Sequence, residues 1–408
     1  MQAAAVSVVV VSHGRPKSLM WCLSALAGLR HEPFEIVVVA DLAAVAYVSE
    51  SRFAGKVKLI PFETPNIAAA RNRGIEAAAG EIIAFIDDDA AAEPMWLHHL
   101  TMPFDDESIA ASGGYVRGRN GISYQWTARE VDRAGRARPL DHDGDGSFKA
   151  VPSAGFAVKT EGTNMALRRD VLCQMGGFDE AYHFFLDETD LNLRLADEGH
   201  GTALVPLAEV HHAYSASHRR GEDRTVRDLF DVGASSAVML RKFGQDVGPR
   251  LEEIRAEQRD RLTDQRARGL LSGAQNRKVQ DSLEVGFEAG LERRFGQYAD
   301  LGAPKEDFLA FSPERSGSLV IEGWRWSSGA LREQAKDAAA RGVNVSLFIF
   351  GLNARYHRVR YDAAGYWEQS GGLFGKSERH QPLFRLRRFK DRLFEEEQRV
   401  AAARGLPG

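Results

Sequence analysis

Short β-branched runs alternate with stretches of helical period through the first hundred residues, the arrangement expected of a parallel sheet with crossover helices. Residues 6–11 read as a buried strand. Beyond the turn His13-Gly14-Arg15-Pro16, Leu19, Leu23, Leu26 and Leu29 recur at three- and four-residue spacing, so one helical face packs on the sheet. Pro16 suits the first turn of that helix. Residues 35–40 predict a second strand ending at Asp41 and residues 57–62 a third. Residues 81–86 predict a fourth that runs straight into Asp87-Asp88-Asp89. Ligands of open α/β sheets bind beyond the carboxyl ends of strands, where helix N-termini also point their N–H groups, and Asp41 and the aspartate triplet fall there.

From residue 118 to about 159 the pattern gives way to polar, Gly-rich sequence, too long for an ordinary connection and expected to be a functional loop or lid. Regular structure resumes near Gly162 and continues to a helix ending about Phe243. Residues 247–300 are charged and helical in period, with Val279, Leu283, Phe287 and Leu291 on one face that needs a partner. Beyond them a strand (319–323), a helix (330–341) and a strand (343–350) suggest a small α/β unit. The division expected is 1–245, a helical linker 246–300, and a C-terminal region 301–408 ending in a basic amphipathic helix.

The length of 408 residues suits two or three folding units, and 44% apolar with 27% charged residues is an ordinary globular profile. A net charge of −4 gives no global pull toward nucleic acid, so any phosphate recognition must be local. Cys22 and Cys173 stand in unrelated apolar contexts without CxxC spacing, which argues against a disulfide framework or a thiolate metal site. The start lacks the pattern of a signal peptide and no segment approaches the roughly 20 apolar residues of a membrane span, so a cytosolic chain, at most lying on a membrane, is expected.

Three adjacent carboxylates after an apolar strand call for a cation, because like charges raise one another's pKa or recruit a counter-ion. A hard divalent ion such as Mg²⁺ or Mn²⁺ would fit, bound through one or two carboxylates plus substrate phosphates; alternatively the triplet is a solvated turn or helix cap. A second acidic cluster, Asp187-Glu188-Thr189-Asp190, opens a helix, where negative charge is favoured. A carboxylate there could take the proton of an acceptor hydroxyl, or simply cap the helix. His211-His212 follows a strand-like run, and either imidazole could complete a metal shell or touch a phosphate.

Together these pieces resemble the family 2 glycosyltransferases. The resemblance rests on Asp41, Asn66 with Ala70-Arg71-Asn72-Arg73-Gly74, and Phe85-Ile86-Asp87-Asp88-Asp89, then Gly162-Thr163-Asn164, Gly176-Gly177-Phe178-Asp179, Asp187-Glu188 and Val210-His211-His212, in order over about residues 5 to 245. It implies a GT-A fold, a Rossmann-like, mostly parallel α/β sheet flanked by helices. It also implies a nucleotide diphosphate sugar donor, UDP by default with dTDP and GDP open, a divalent metal, and inversion at the anomeric carbon. Position by position, it places Ser12, Asp41, Asn66, Arg71, Asp87 and Asp88 at the donor, Asp89 and His212 on the metal, and Gly162, Thr163 and Asn164 beside the donor sugar and acceptor. Glu188 would be the base, with Asp187 open because family members commonly carry Glu-Asp where this chain has Asp-Glu. The turn Ser12-His13-Gly14-Arg15 departs from the family's Thr-Tyr-Asn type, which leaves its donor contacts open.

The acceptor implied is a saccharide, a lipid-linked or a protein hydroxyl. Residues 376–392 interleave Arg379, Arg385, Arg387, Arg388 and Lys390 with Phe384, Leu386 and Phe389, a pattern that could lie on an anionic membrane or pack as an ordinary helix. Asp141-His142-Asp143-Gly144-Asp145-Gly146 begins like a calcium loop but has Pro152 where a bidentate Glu belongs, so it is read as an acidic loop. A nucleotidyltransferase would want a Gly-rich basic loop after the first strand, and a haloacid-dehalogenase-type phosphatase a Thr or Val where Ala91 stands. A non-catalytic scaffold is the remaining alternative, against which the intact acidic clusters argue.

Overall fold

The computed structural model describes residues 4–142, 144 and 146–407. Its N-terminal half begins with β1 (Val6–Ser12), α1 (Pro16–Leu26), β2 (Phe34–Ala40), α2 (Leu42–Ser49), β3 (Lys58–Pro61), α3 (Ile67–Ala77) and β4 (Ile82–Asp87). These strands are parallel, and their order reverses at β1, which lies between β2 and β4. Val11 is in register with Asp87, so the carboxyl ends of β1 and β4 open a crevice where the chain's winding changes direction. Alternation fills both faces of the sheet: Val6, Val8 and Val10 join the core beneath α1, whereas Val9 and Val37 join the core beneath α3. Gly74 of α3 is required there, because a Cβ would strike the Val9 side chain.

The second half of this sheet is mixed. After β5 (Ala90–Ala92), α4 (Trp96–Thr101) and β6 (Ile109–Arg117), the segment expected to be a loop folds into β7 (Tyr124–Trp126), β8 (Arg129–Asp132), β9 (Ala137–Pro139), β10 (Phe148–Lys149) and β11 (Phe156–Val158). β8 pairs with β9 and β11 in a separate three-stranded sheet, while β7 and β10 extend the main one. Strands of two to four residues carry too little alternation to be read from pattern. They are held by tertiary packing of Val131 and Ala157 against Leu186, Leu193 and Met239. Asp143 and Asp145 of the calcium-like stretch lie outside the described residues.

There follow β12 (Met165–Arg168), antiparallel to both β4 and β6, α5 (Arg169–Gln174), α6 (Asp187–Asp197), β13 (Gly201–His212) and α7 (Phe230–Lys242). β13 runs parallel to β6 with an irregularity between Val205 and Glu209, which absorbs Pro206. The result is the mostly parallel α/β sheet with flanking helices that the resemblance implies.

Two long helices come next, α8 (Val247–Ala267) and α9 (Gly273–Glu292), the second opened by a capping box of Ser272 and Gln275. Val279, Leu283 and Phe287 are buried on α9, and α7 is a partner of that stripe. The two helices approach backbone to backbone: a Cβ on Gly286 would fall on the Phe230 carbonyl oxygen, and one on Gly290 on that of Ala234.

The C-terminal unit comprises β14 (Ser316–Trp324), α10 (Ser328–Ala340), β15 (Val343–Gly351), β16 (Arg358–Asp362), β17 (Tyr366–Gly372) and α11 (Phe389–Arg404). Its sheet has the order β14-β15-β17-β16, with only the β16 pairing antiparallel. The basic segment departs from the expected amphipathic helix. Residues 376–388 contain no helix, and α11 begins only at Phe389. Arg392, at the end of that segment, is buried against Glu396 at 2.8 Å, and Arg387 pairs with Glu395 at 2.8 Å. Intramolecular carboxylates thus take two of the charges of this segment.

Overpacking the α7–α9 contact should be costly. Gly286→Ala is expected to lower the unfolding free energy by about 1–3 kcal/mol in urea titration. Gly329→Ala, where an added Cβ meets nothing within 4 Å, should leave it unchanged or slightly raised.

Candidate active site

Ser12 and the aspartate triplet meet in the crevice between β1 and β4. The Ser12 hydroxyl donates to Asp88 at 2.6 Å, and Arg15 places one guanidinium nitrogen 2.5 Å from Asp88 and another 3.4 Å from Asp89. Asp88 is fully buried, and burial pushes its carboxyl up against the pull of Arg15. Asp89 is also buried, but His212 Nε2 at 3.1 Å, Arg15 and the Ser215 N–H at 2.7 Å outweigh that and hold its carboxyl well below the ordinary range. The remaining member, Asp87, is about a third exposed.

One ligand atom each from Asp87, Asp89 and His212 lies within 4.8 Å of the others. Two carboxylates and an imidazole suit a divalent ion of the Mg²⁺ or Mn²⁺ type, so these residues fit the metal expected here. His211 goes elsewhere: its Nε2 is 2.9 Å from the buried Glu93, which also pairs with Arg404 of α11 at 3.0 Å. Adjacent positions on β13 face opposite sides of the sheet, which sorts the two histidines.

Arg71 ties the first acidic cluster to the second. Its buried guanidinium pairs closely with Asp187, lies 3.5 Å from Asp87 and donates to the Gly162 carbonyl at 3.1 Å. It also sits over the rings of Phe85 and Phe178. A Cβ on Gly162 would collide with that guanidinium, so Arg71 requires glycine at this position. Thr163 lies alongside, its hydroxyl 3.4 Å from the Asp87 N–H.

Asp187 and Glu188 open α6 behind two residues in the left-handed region, Phe185 (φ 72°) and Leu186 (φ 66°). Two consecutive non-glycine residues in that region are strained, and packing of buried Leu186 in the core holds them. The Glu188 side chain is 14% exposed and that of Asp187 only 2%, so Glu188 is the carboxylate that an incoming hydroxyl could reach. Lys159 donates to Glu188 at 2.8 Å and to the Thr189 hydroxyl at 3.1 Å. Burial alone would raise the Glu188 carboxyl, but the Lys159 ammonium more than offsets this and keeps it low and ionised.

Three expected contact residues have their polar atoms committed to the fold. Asn66 caps α3 by accepting from the Ala69 N–H at 3.1 Å and donates to the Glu180 carbonyl at 2.9 Å. Asp41 caps α2 through the Ala44 N–H at 3.0 Å and accepts from the Gly14 N–H at 2.5 Å, which ties the first turn to the second strand. Asn164 is fully buried, accepting from the Trp96 indole at 2.7 Å and donating to the Tyr115 and Ala208 carbonyls at 3.0 and 2.8 Å. The amide of Asn164 thus ties α4 to the strands on either side of it.

Motif reading missed Lys159, Arg15 and Arg220, the last of which lies 3.6 Å from Asp89. Lys159 had a legible signal, a lone base three residues before Gly162. Arg220 had none, because only the return of the loop after β13 brings it to Asp89.

Sheet and site together bring the two acidic clusters to the carboxyl ends of the parallel strands. Residues 7–172 match the family model described as Glycosyl transferase family 2. Among curated relatives, the pre-mycofactocin glycosyltransferase of Mycobacterium tuberculosis is 28% identical over 245 residues, 58% of this chain and 48% of that protein. The glucosyl-dolichyl phosphate glucuronosyltransferase of Haloferax volcanii is 26% identical over 186 residues, covering 43% of this chain and 56% of its own length. The chain thus spans about half the length of these relatives. A solved mannosyltransferase from Pyrobaculum calidifontis, in complex with GDP-Man and Mn2+, is 17% identical with a TM-score of 0.44, covering 71% of this chain and 90% of that one.

Removing the bridge between the clusters should be felt by the fold. Arg71→Met leaves Asp187 buried without its cation and is expected to cost about 3–5 kcal/mol in urea unfolding at neutral pH. The loss should shrink in acid, where Asp187 takes up a proton.

Proposed function

We propose that this chain is an inverting glycosyltransferase that moves a sugar from a nucleotide diphosphate donor to a hydroxyl of a saccharide, lipid-linked or protein acceptor. The observation that carries the reading is Arg71, which touches both Asp87 of the metal-type cluster and Asp187 beside Glu188, so donor and base groups line a single site. Glu188, kept ionised by Lys159, takes the proton of the acceptor hydroxyl. The freed oxygen attacks the anomeric carbon from the side opposite the leaving group. As that bond forms, the bond from the anomeric carbon to the phosphate oxygen breaks, and its electron pair leaves with the nucleoside diphosphate. A divalent cation held by Asp87, Asp89 and His212 would supply Lewis-acid neutralisation of that leaving group. Ser12 and Asp88 border the β1–β4 crevice where the nucleoside would lie, and Asp41, at the end of the neighbouring β2, holds the Gly14 turn beside it.

Calorimetric titration of UDP-, dTDP- and GDP-sugars with and without Mn²⁺ is the test. Metal-dependent binding of one donor, lost in Asp89→Ala, is expected, and Glu188→Gln should keep that affinity while losing at least about 100-fold in transfer. The absence of binding by every donor in a folded protein would overturn the reading and leave a scaffold. Lys159→Gln adds a signature in pH: without the ammonium the Glu188 carboxyl rises, so the acid limb of the kcat profile should move to higher pH.

Membrane contact belongs to the same proposal. Leu383 (64% exposed), Leu386 (76%) and Phe384 flank Arg385 and Arg388, and no helix among the described residues is long and apolar enough to cross a bilayer. Apolar side chains interleaved with cations suit the interface of an anionic bilayer. Sedimentation with phosphatidylglycerol vesicles should be weakened several-fold by Leu386→Ser together with Arg388→Gln, and equal sedimentation with neutral vesicles would contradict the electrostatic part.

A further inference from the structure

Between the two units lies a cavity of about 750 Å³. The first turn of α1 and the ends of β6 and β13 form one side, and Val359, Arg360 and Tyr361 of β16 form the other. The seam is fixed on α1, where the Trp21 indole donates to the Tyr361 carbonyl at 3.1 Å and the two rings meet edge to face with centroids 6.0 Å apart. The lining is strongly basic. Arg15, Lys17, Arg119 and Arg360 border the cavity against a single acid, Glu222.

These cations are available in different degrees. Arg15 is shared with Asp88 and Asp89, and Arg360 lies 3.0 Å from Glu368, which Arg332 also holds. Lys17 has no ion pair among the described residues, and Arg119 has none either, spending one nitrogen on the Glu222 carbonyl at 2.9 Å. The N-terminus of α1 adds to this field. Its N-cap residue is Arg15, which makes no capping hydrogen bond through its side chain, so the first-turn N–H groups are not taken by a cap. His212, at the cavity's edge, belongs to the metal-type cluster, whereas Asp187 and Glu188 do not line the cavity.

We propose that this cavity binds a phosphate-bearing ligand and that the C-terminal unit, through Arg360, is part of its binding site. The inference deepens the donor-site reading above and rests on it only for the position of the metal-type cluster. A dianion with several acceptor oxygens matches two uncommitted cations, a partly shared third and a helix N-terminus, whereas a neutral sugar would leave those charges uncompensated. Two sources carry that chemistry: the diphosphate of the donor, entering past His212, and the phosphate of a phosphate-linked acceptor.

The test uses the full chain and four probes by calorimetry: inorganic pyrophosphate, UDP and GDP with Mn²⁺, and geranyl phosphate in detergent. Lys17→Gln, Arg119→Gln and Arg360→Gln replace exposed or half-exposed side chains and should leave thermal unfolding unchanged. Each is expected to weaken pyrophosphate 3- to 10-fold, and the triple variant at least 30-fold. A parallel loss for UDP or GDP identifies the donor diphosphate as the source, and a loss confined to geranyl phosphate identifies the acceptor. No binding of pyrophosphate to the native chain, or affinities within twofold in a folded triple variant, would overturn the proposal. Because pyrophosphate binding requires no sugar transfer, that failure is distinguishable from inactivity of the Glu188 site.

Discussion

The buried guanidinium of Arg71 holds one positive charge among three carboxylates, Asp87, Asp187 and Glu188, of which Asp187 is buried with it. A buried cation of this kind is tolerable only with nearby anions and satisfied N–H groups, and the reverse holds for the carboxylates. Asp187 and the Gly162 carbonyl supply the partners, and the absence of a side chain at Gly162 supplies the room. The arrangement joins α3, the end of β4 and the start of α6. Through it the nucleotide-type crevice and the acidic helix start share one electrostatic unit. Lys159 plays the corresponding part on the outer side, compensating Glu188 and lying 3.7 Å from Glu161.

The C-terminal unit is attached by the same principle on the other side of the sheet. Glu93, just beyond β5, accepts from Arg404 of α11 and contacts His211, whose ring lies 4.6 Å from that of Trp367 on β17. Arg315 donates to the Ser24 carbonyl of α1 at 2.7 Å, and the Tyr361 hydroxyl donates to the same oxygen at 2.7 Å. These contacts involve α1 and the end of β13, the elements that carry Arg15 and His212. A unit outside the matched family segment is therefore anchored on the elements that frame the metal-type cluster.

Most of the fold of the first hundred residues was legible because its strands are long, uniformly β-branched and separated by helices with clear apolar faces. The five short strands between residues 124 and 158 were not, since two to four residues carry too little alternation and β10 finds its partner, β13, far along the chain. The same division runs through the site. Asp87, Asp88, Asp89, Asp187 and Glu188 stand out as charges at the ends of apolar runs, whereas Asn66 and Asn164 look the same in sequence whether they meet a ligand or a backbone carbonyl.

The sequence by itself determined the alternation of strands and helices, the placing of carboxylates at strand and helix ends, and the family those features resemble, because periodicity and local charge are properties of neighbouring residues. Tertiary structure alone decided which cation compensates which carboxylate, that Glu188 rather than Asp187 retains access to solvent, that His211 turns to Glu93, and that residues 376–388 of the basic segment are not helical. Those outcomes depend on distances between residues far apart in the chain. Coulomb energy and desolvation respond to such distances steeply, and to sequence only through the fold.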